Sequence, residues 1–154
     1  MRVTVSAEQI KFFELNEYLE LEDLISEEQI KLLISSIARV RAKSPGYPDE
    51  NCFRSIPLVA ELTRGQRWGQ IASELLHKKP LRIAYDRFWE TVPSFSQYLD
   101  KESCGLLLNL VNGNGTFFKQ FPSYSFKYMD KHCYFILVFT ARHLPDALNP
   151  VVFR

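Results

Sequence analysis

The sequence predicts an α+β fold, with N-terminal helices packed on an antiparallel β-sheet. Apolar residues recur at helical spacing as far as Leu76, and after Pro80 the pattern changes to short alternating or continuous apolar runs separated by turn residues. Twelve Phe and seven Tyr are an aromatic load that suits a substantial sheet and a two-layer core. At 154 residues the chain fits one domain, mainly helical over 1–79 and mainly sheet over 80–154.

Ser6-Ala7-Glu8-Gln9 has the form of a capping box, so a short helix is expected over 7–13, broken by Asn16. Tyr18 to Glu22 alternates as a half-buried strand. A second capping box, Ser26 to Gln29, opens the strongest helix, with Ile30, Leu33, Ile34, Ile37 and Val40 on one face. Arg39, Arg41 and Lys43 fall in its last turns, where cations suit the helix dipole. Residues 44–49 read as a loop, and the chain as irregular through Arg54. A further helix over 66–77 places Trp68, Ile71, Ala72, Leu75 and Leu76 on one face. Strands are then expected over 81–89, with Ile83, Tyr85 and Arg87 on one side, and over 105–111, 116–121, 124–129, 132–141 and 151–153. Asn112-Gly113-Asn114-Gly115 is the clearest turn signal.

The net charge of +1 provides no field to steer the chain to nucleic acid, and its basic residues form no stripe. Cys52, Cys104 and Cys133 are odd in number and far apart, which suits free thiols in a reducing compartment. The N-terminus lacks a signal-type apolar segment, and the longest apolar stretch, 133–139, is too short to span a bilayer. The expectation is a cytoplasmic protein with no nucleic-acid or membrane partner. There is no G-x-S-x-G, no P-loop and no dinucleotide turn. Adjacent His132 and Cys133 would point to opposite faces of a strand, so they make no nucleophile pair.

Phe13-Glu14-Leu15-Asn16-Glu17-Tyr18-Leu19-Glu20-Leu21 and Leu24-Ile25-Ser26-Glu27-Glu28-Gln29, together with the hairpin signal from Leu107 to Pro122, resemble the phytanoyl-CoA dioxygenase family of iron- and 2-oxoglutarate-dependent oxygenases. Glu17 stands where that family usually has glycine. The resemblance implies a double-stranded β-helix, a cupin-like jelly-roll sandwich. It also implies a His-x-Asp pair and a distal His for iron(II), with an Arg to clamp 2-oxoglutarate. No His-x-Asp or His-x-Glu occurs in the chain. Aligning Asp100 with the family's aspartate puts Tyr98 in place of the histidine, whereas the spacing from His143 to Arg154 fits the distal His and Arg. The chain stops at Arg154, so the final family strand is expected to be missing or reduced.

Three functional readings follow. In the first, the chain is an oxygenase-fold protein without a catalytic residue or metal, binding a small molecule or a protein in the aromatic-lined mouth of the barrel. In the second it is an active oxygenase with an altered site, Asp100 and His143 holding iron(II) and Arg154 holding 2-oxoglutarate. In the third it is an interaction module using the helical face around Trp68 and the loop from Tyr47 to Arg54. The reading leans away from catalysis. Each residue also has a plainer role: His143 at the surface, Arg154 solvated, Asp100 as a loop charge, Trp68 and Trp89 in the core, and Asp86-Arg87 as an exposed pair. Pro145 and Pro150 favour a surface loop before Arg154, so His143 and Arg154 are expected not to meet Asp100.

Overall fold

The computed structural model describes residues 5–43, 51–65, 67–89, 99–119, 134–145, 149 and 151–154. Among them are four α-helices and six strands: α1 (Ala7–Asn16), β1 (Tyr18–Leu21), α2 (Glu27–Lys43), α3 (Pro57–Gly65), α4 (Trp68–Leu76), β2 (Leu81–Trp89), β3 (Ser103–Asn109), β4 (Gly115–Phe118), β5 (Tyr134–Thr140) and β6 (Val151–Phe153). A short 3-10 turn, Cys52–Arg54, precedes α3. The expected loop at 44–49, the expected strand at 124–129, Cys133 and the side chain of Trp89 lie outside the described residues.

Both capping boxes form. Ser6 Oγ accepts the Gln9 N–H at 3.1 Å while Gln9 Oε1 accepts the Ser6 N–H at 2.9 Å. Ser26 and Gln29 repeat the exchange at 3.1 Å in each direction. Helix α1 runs past Phe13 to Asn16, and what ends it is Glu17, in the left-handed region at φ 65° with its N–H on the Phe13 carbonyl at 2.7 Å. The residue in glycine's place thus adopts a glycine-like backbone. Helix α3 is an element the sequence reading missed, its irregular stretch ending at Arg54 and its next helix starting at 66. Pro57 at its first turn suits a helix start, and Ile56, Val59 and Leu62 are buried at three-residue spacing. The helix expected over 66–77 begins instead at Trp68 and ends at His77, also left-handed.

The strands form one antiparallel sheet in the order β1-β4-β3-β5-β2-β6. On one face Leu81, Ile83, Cys104, Leu106, Leu137 and Phe139 join the helices' Phe13, Leu33, Ile37, Val59, Trp68 and Ile71 in the main core. On the other face Tyr85, Leu107, Phe118, Tyr134, Ile136 and Val138 form a second buried cluster. Two expectations fail here. The pairing of β2 with β5 slips between Ile83 and Tyr85, a bulge that sends Ile83 into the main core and Tyr85 to the opposite face. The same reversal turns Asp86 inward, so Asp86-Arg87 is no exposed pair: Asp86 is 0% exposed.

The hairpin between β3 and β4 is wider than a two-residue turn. Leu108 pairs with Gly115, and Asn109 to Asn114 make the loop. Gly113, at φ 82°, sends its carbonyl to the N–H groups of Leu24 and Ile25, and a Cβ there would strike the Ile25 carbonyl. The Trp68 indole donates to the Leu24 carbonyl at 2.8 Å from a side chain 1% exposed. Trp68 therefore anchors the β1–α2 connection and presents nothing for docking, which removes the aromatic centre of the third functional reading.

Candidate binding face and its two polar ends

On the face of the sheet away from the helices, a buried apolar strip has a polar cluster at each end. The strip is legible in register. Phe118 pairs with Gly105 and Val138 with Gly105, Leu107 pairs with Ile136, and directly paired residues share a face. Phe118 lies over Gly105, where any Cβ would collide with its ring. All six strip residues are 2% exposed or less.

The first polar end is where β3 starts, β5 ends and β2 starts. Ser103, Thr140 and Arg82 form one row across it. Asp100 closes that end. Its Oδ1 accepts the Glu102 N–H and the Ser103 hydroxyl, both at 2.8 Å, and its Oδ2 meets Arg142 Nε at 3.1 Å. Burial pulls the Asp100 carboxyl upward, but the Ser103 and Glu102 hydrogen bonds and the Arg142 and Lys101 charges outweigh it and hold it below the ordinary value. Thr140 Oγ1 accepts the Arg142 N–H at 3.1 Å. Next along, Arg82 Nη1 donates to the Asn149 carbonyl at 3.0 Å, and the Asn149 amide donates to the Ile83 carbonyl at 2.9 Å.

His143 is exposed, one residue past Arg142, and Arg154 is exposed beyond β6 at the edge of the sheet. The carboxylate partners of Asp100 are Glu102, Ser103 and Arg142; neither His143 nor Arg154 is among them. Asp100, His143 and Arg154 all lie at or near the same end of the sheet. An iron(II) site of this class needs two imidazoles and a free carboxylate. The donors here do not fit one. Both oxygens of Asp100 are already accepting hydrogen bonds, and a guanidinium beside them repels a dication. Among the described residues no three His, Cys, Asp or Glu side chains group as metal ligands.

The sequence reading had Asp100 as a ligand or a loop charge and missed its tie to Arg142, which only the return of β5 brings near. The Asp100-x-x-Ser103 spacing was the available signal, since an Asp side chain accepts from the backbone N–H two residues on and can reach a hydroxyl three residues on.

The second polar end is a cleft of about 330 Å³ beside the β3–β4 hairpin, lined by Glu20, Glu22, Asn109, Asn112, Asn114 and Thr116 over Leu21 and Leu107. Elsewhere, the buried groups are structural. Asp86, on the helix side, accepts the N–H groups of Cys52 at 2.6 Å and Phe53 at 2.8 Å. Burial pushes its carboxyl up to about 7, against those bonds and the Arg54 charge. Cys52 and Cys104 are buried free thiols, and burial pushes Cys104 up to about 12, far from a reactive thiolate.

The fold aligns with those of several solved structures. CT296 from Chlamydia trachomatis aligns with a TM-score of 0.74 and 22% identity, over 92% of this chain and 99% of CT296. The non-heme alpha-ketoglutarate-dependent carbocyclase SnoK of nogalamycin biosynthesis aligns at 0.63 and 10% identity, over 88% of this chain and 84% of SnoK. HygX from Streptomyces hygroscopicus, with nickel and 2-oxoglutarate bound, aligns at 0.59 and 10% identity, over 94% of this chain and 92% of HygX. At these identities the likeness is one of fold. No family model and no curated protein sequence matches the chain. No helix among the described residues is long and apolar enough to cross a membrane.

Proposed function

We propose that this chain is a non-catalytic binding protein built on a double-stranded β-helix, a jelly-roll scaffold of the phytanoyl-CoA dioxygenase type from which the iron-binding pair has gone. The observation that carries the reading is the state of Asp100. In the oxygenase chemistry that residue gives its carboxylate to iron; here the carboxylate is held by a hydroxyl, an amide and a guanidinium. The absence of any His-x-Asp supports the same reading, and so does the fold likeness to SnoK and HygX. A cytoplasmic location fits two buried free thiols.

The test is co-substrate turnover. Protein supplied with iron(II), ascorbate and 2-oxoglutarate is expected to form no succinate above a protein-free control. Succinate production that disappears in both Asp100→Ala and His143→Ala would establish the active-oxygenase reading, with Arg154 as the 2-oxoglutarate clamp.

A further inference from the structure

We propose that the cleft beside the β3–β4 hairpin is a binding site for a neutral, hydroxyl-rich ligand, a saccharide or comparable polyol. Ser103, next to the Asp100 cluster, and Asn109, in the cleft, begin and end the seven-residue strand β3. At about 3.3 Å per residue they stand roughly 20 Å apart, so this site is independent of the metal question.

Register builds the site. Glu20 pairs directly with Thr116, and Thr116 with Leu107, which puts the three side chains side by side on the face away from the helices. Asn109, two residues past Leu107, points the same way. The loop of Asn112 and Asn114 closes one side, and the cleft holds about 330 Å³, room for a monosaccharide-sized molecule.

The hydrogen bonds inside the loop determine what the cleft can offer. Asn109 Oδ1 accepts the N–H groups of Val111 at 2.8 Å and Asn112 at 3.3 Å. Asn112 Oδ1 accepts the Asn114 N–H at 2.9 Å, and Asn114 Oδ1 accepts the Asp23 N–H at 3.3 Å. Each asparagine has spent its carbonyl oxygen on backbone, which fixes the orientation of the amide and leaves the NH₂ group. Asn109 is only 6% exposed and Thr116 9%, yet among the described residues the Asn109 NH₂ and the Thr116 hydroxyl have no hydrogen-bond partner. Neither atom is sealed from solvent, so both line the cleft ready to bond to whatever enters it.

The partner's chemistry follows from the set. A divalent cation would find oxygen on Glu20 and Glu22, but the asparagine amides, held by their oxygens, turn NH₂ donors rather than ligands toward it. A simple amine would suit Glu20 and Glu22 but offers nothing for the amide N–H groups to donate to. A hydroxyl does both, donating to a carboxylate and accepting from an amide. Several hydroxyls on one small frame match the alternation of carboxylate, hydroxyl and amide over an apolar floor of Leu107.

Titration of the ¹⁵N-labelled chain with methyl glycosides of glucose, galactose and mannose and with myo-inositol, followed by NMR, tests this. Saturable shifts are expected at 20–22 and 107–116 with at least one of them, at up to roughly 50 mM ligand. Thr116→Val, Glu20→Gln and Asn109→Asp, which keeps the turn-holding oxygen but replaces the NH₂, are each expected to weaken binding about fivefold or more. Retained amide spectra away from the hairpin show that the variants are folded. No saturable shift with any of the four probes would overturn the proposal. So would equal binding by the three variants, or the same residues shifting more strongly with calcium or putrescine.

Discussion

Asp86 and Asp100 are each held by at least two hydrogen bonds, yet their carboxyls move in opposite directions. Asp86 sits on the helix-covered side of the sheet with no solvent exposure, and burial overrides two backbone N–H bonds to push it up to about 7. Asp100 sits at the open end of the other face, where burial is still the largest single effect but the hydrogen bonds and neighbouring cations together override it. Asp86 is therefore a structural strut and Asp100 a satisfied surface turn, and depth together with the charge of the donors separates them. Asp86 is invested in the fold, whereas at the hairpin end of the other face the Asn109 amide and the Thr116 hydroxyl line an open cleft.

Truncating each aspartate breaks or sharpens that contrast most strongly. Asp86→Ala strands two buried backbone N–H groups and is expected to destabilise by about 2–5 kcal/mol in chemical denaturation at pH 6. Asp100→Ala removes contacts at the surface and is expected to stay within about 1 kcal/mol. Comparable losses for the two would show that depth does not separate them.

Their pH dependences should also oppose each other. For Asp86 the folded chain keeps its proton up to about 7, whereas the unfolded chain loses it near the ordinary 3.8. Between those values the folded state binds more protons, so stability falls as pH rises through the window and levels above it. Asp100, held below its ordinary value, contributes stability that is present at neutral pH and lost as pH falls into the acid range. Denaturation midpoints across pH 4–8 are expected to decline, and Asp86→Asn should flatten the curve. A slope unchanged in Asp86→Asn would place the titrating group elsewhere.

The smallest expected effect is at Glu17. Its left-handed backbone is one that glycine adopts without penalty, so Glu17→Gly should raise stability by roughly 0.5–1 kcal/mol. A loss of stability would mean that the Glu17 side chain makes a contribution larger than the backbone penalty.

What was legible in the sequence was local. Ser6 with Gln9 and Ser26 with Gln29 announce helix starts because a capping box closes within four residues. The helix-first, sheet-later order and the burial of Trp68 followed from periodicity in the same way. Asp86 was not legible, because one extra residue at the Ile83–Tyr85 bulge reverses every later side chain of β2, and that slip arises from pairing with β5, some fifty residues away. Helix α3 was hidden behind Pro57, which reads as a loop residue until its place in a first helical turn is known. At the sites, Asp100 was picked out by alignment, but its saturation depends on Arg142 arriving from β5. The Asn112-Gly113-Asn114-Gly115 run read only as a turn, because the direction of its amides is set by the backbone it holds.

The proposal that this chain is a non-catalytic binding protein whose Asp100 end does not hold iron is tested most directly by metal stoichiometry. The chain is reconstituted anaerobically with excess iron(II) and 2-oxoglutarate, desalted, and assayed for iron per chain. The account predicts well under one tenth of an equivalent, unchanged in Asp100→Ala. Close to one iron per chain, lost in Asp100→Ala and in His143→Ala, would contradict it.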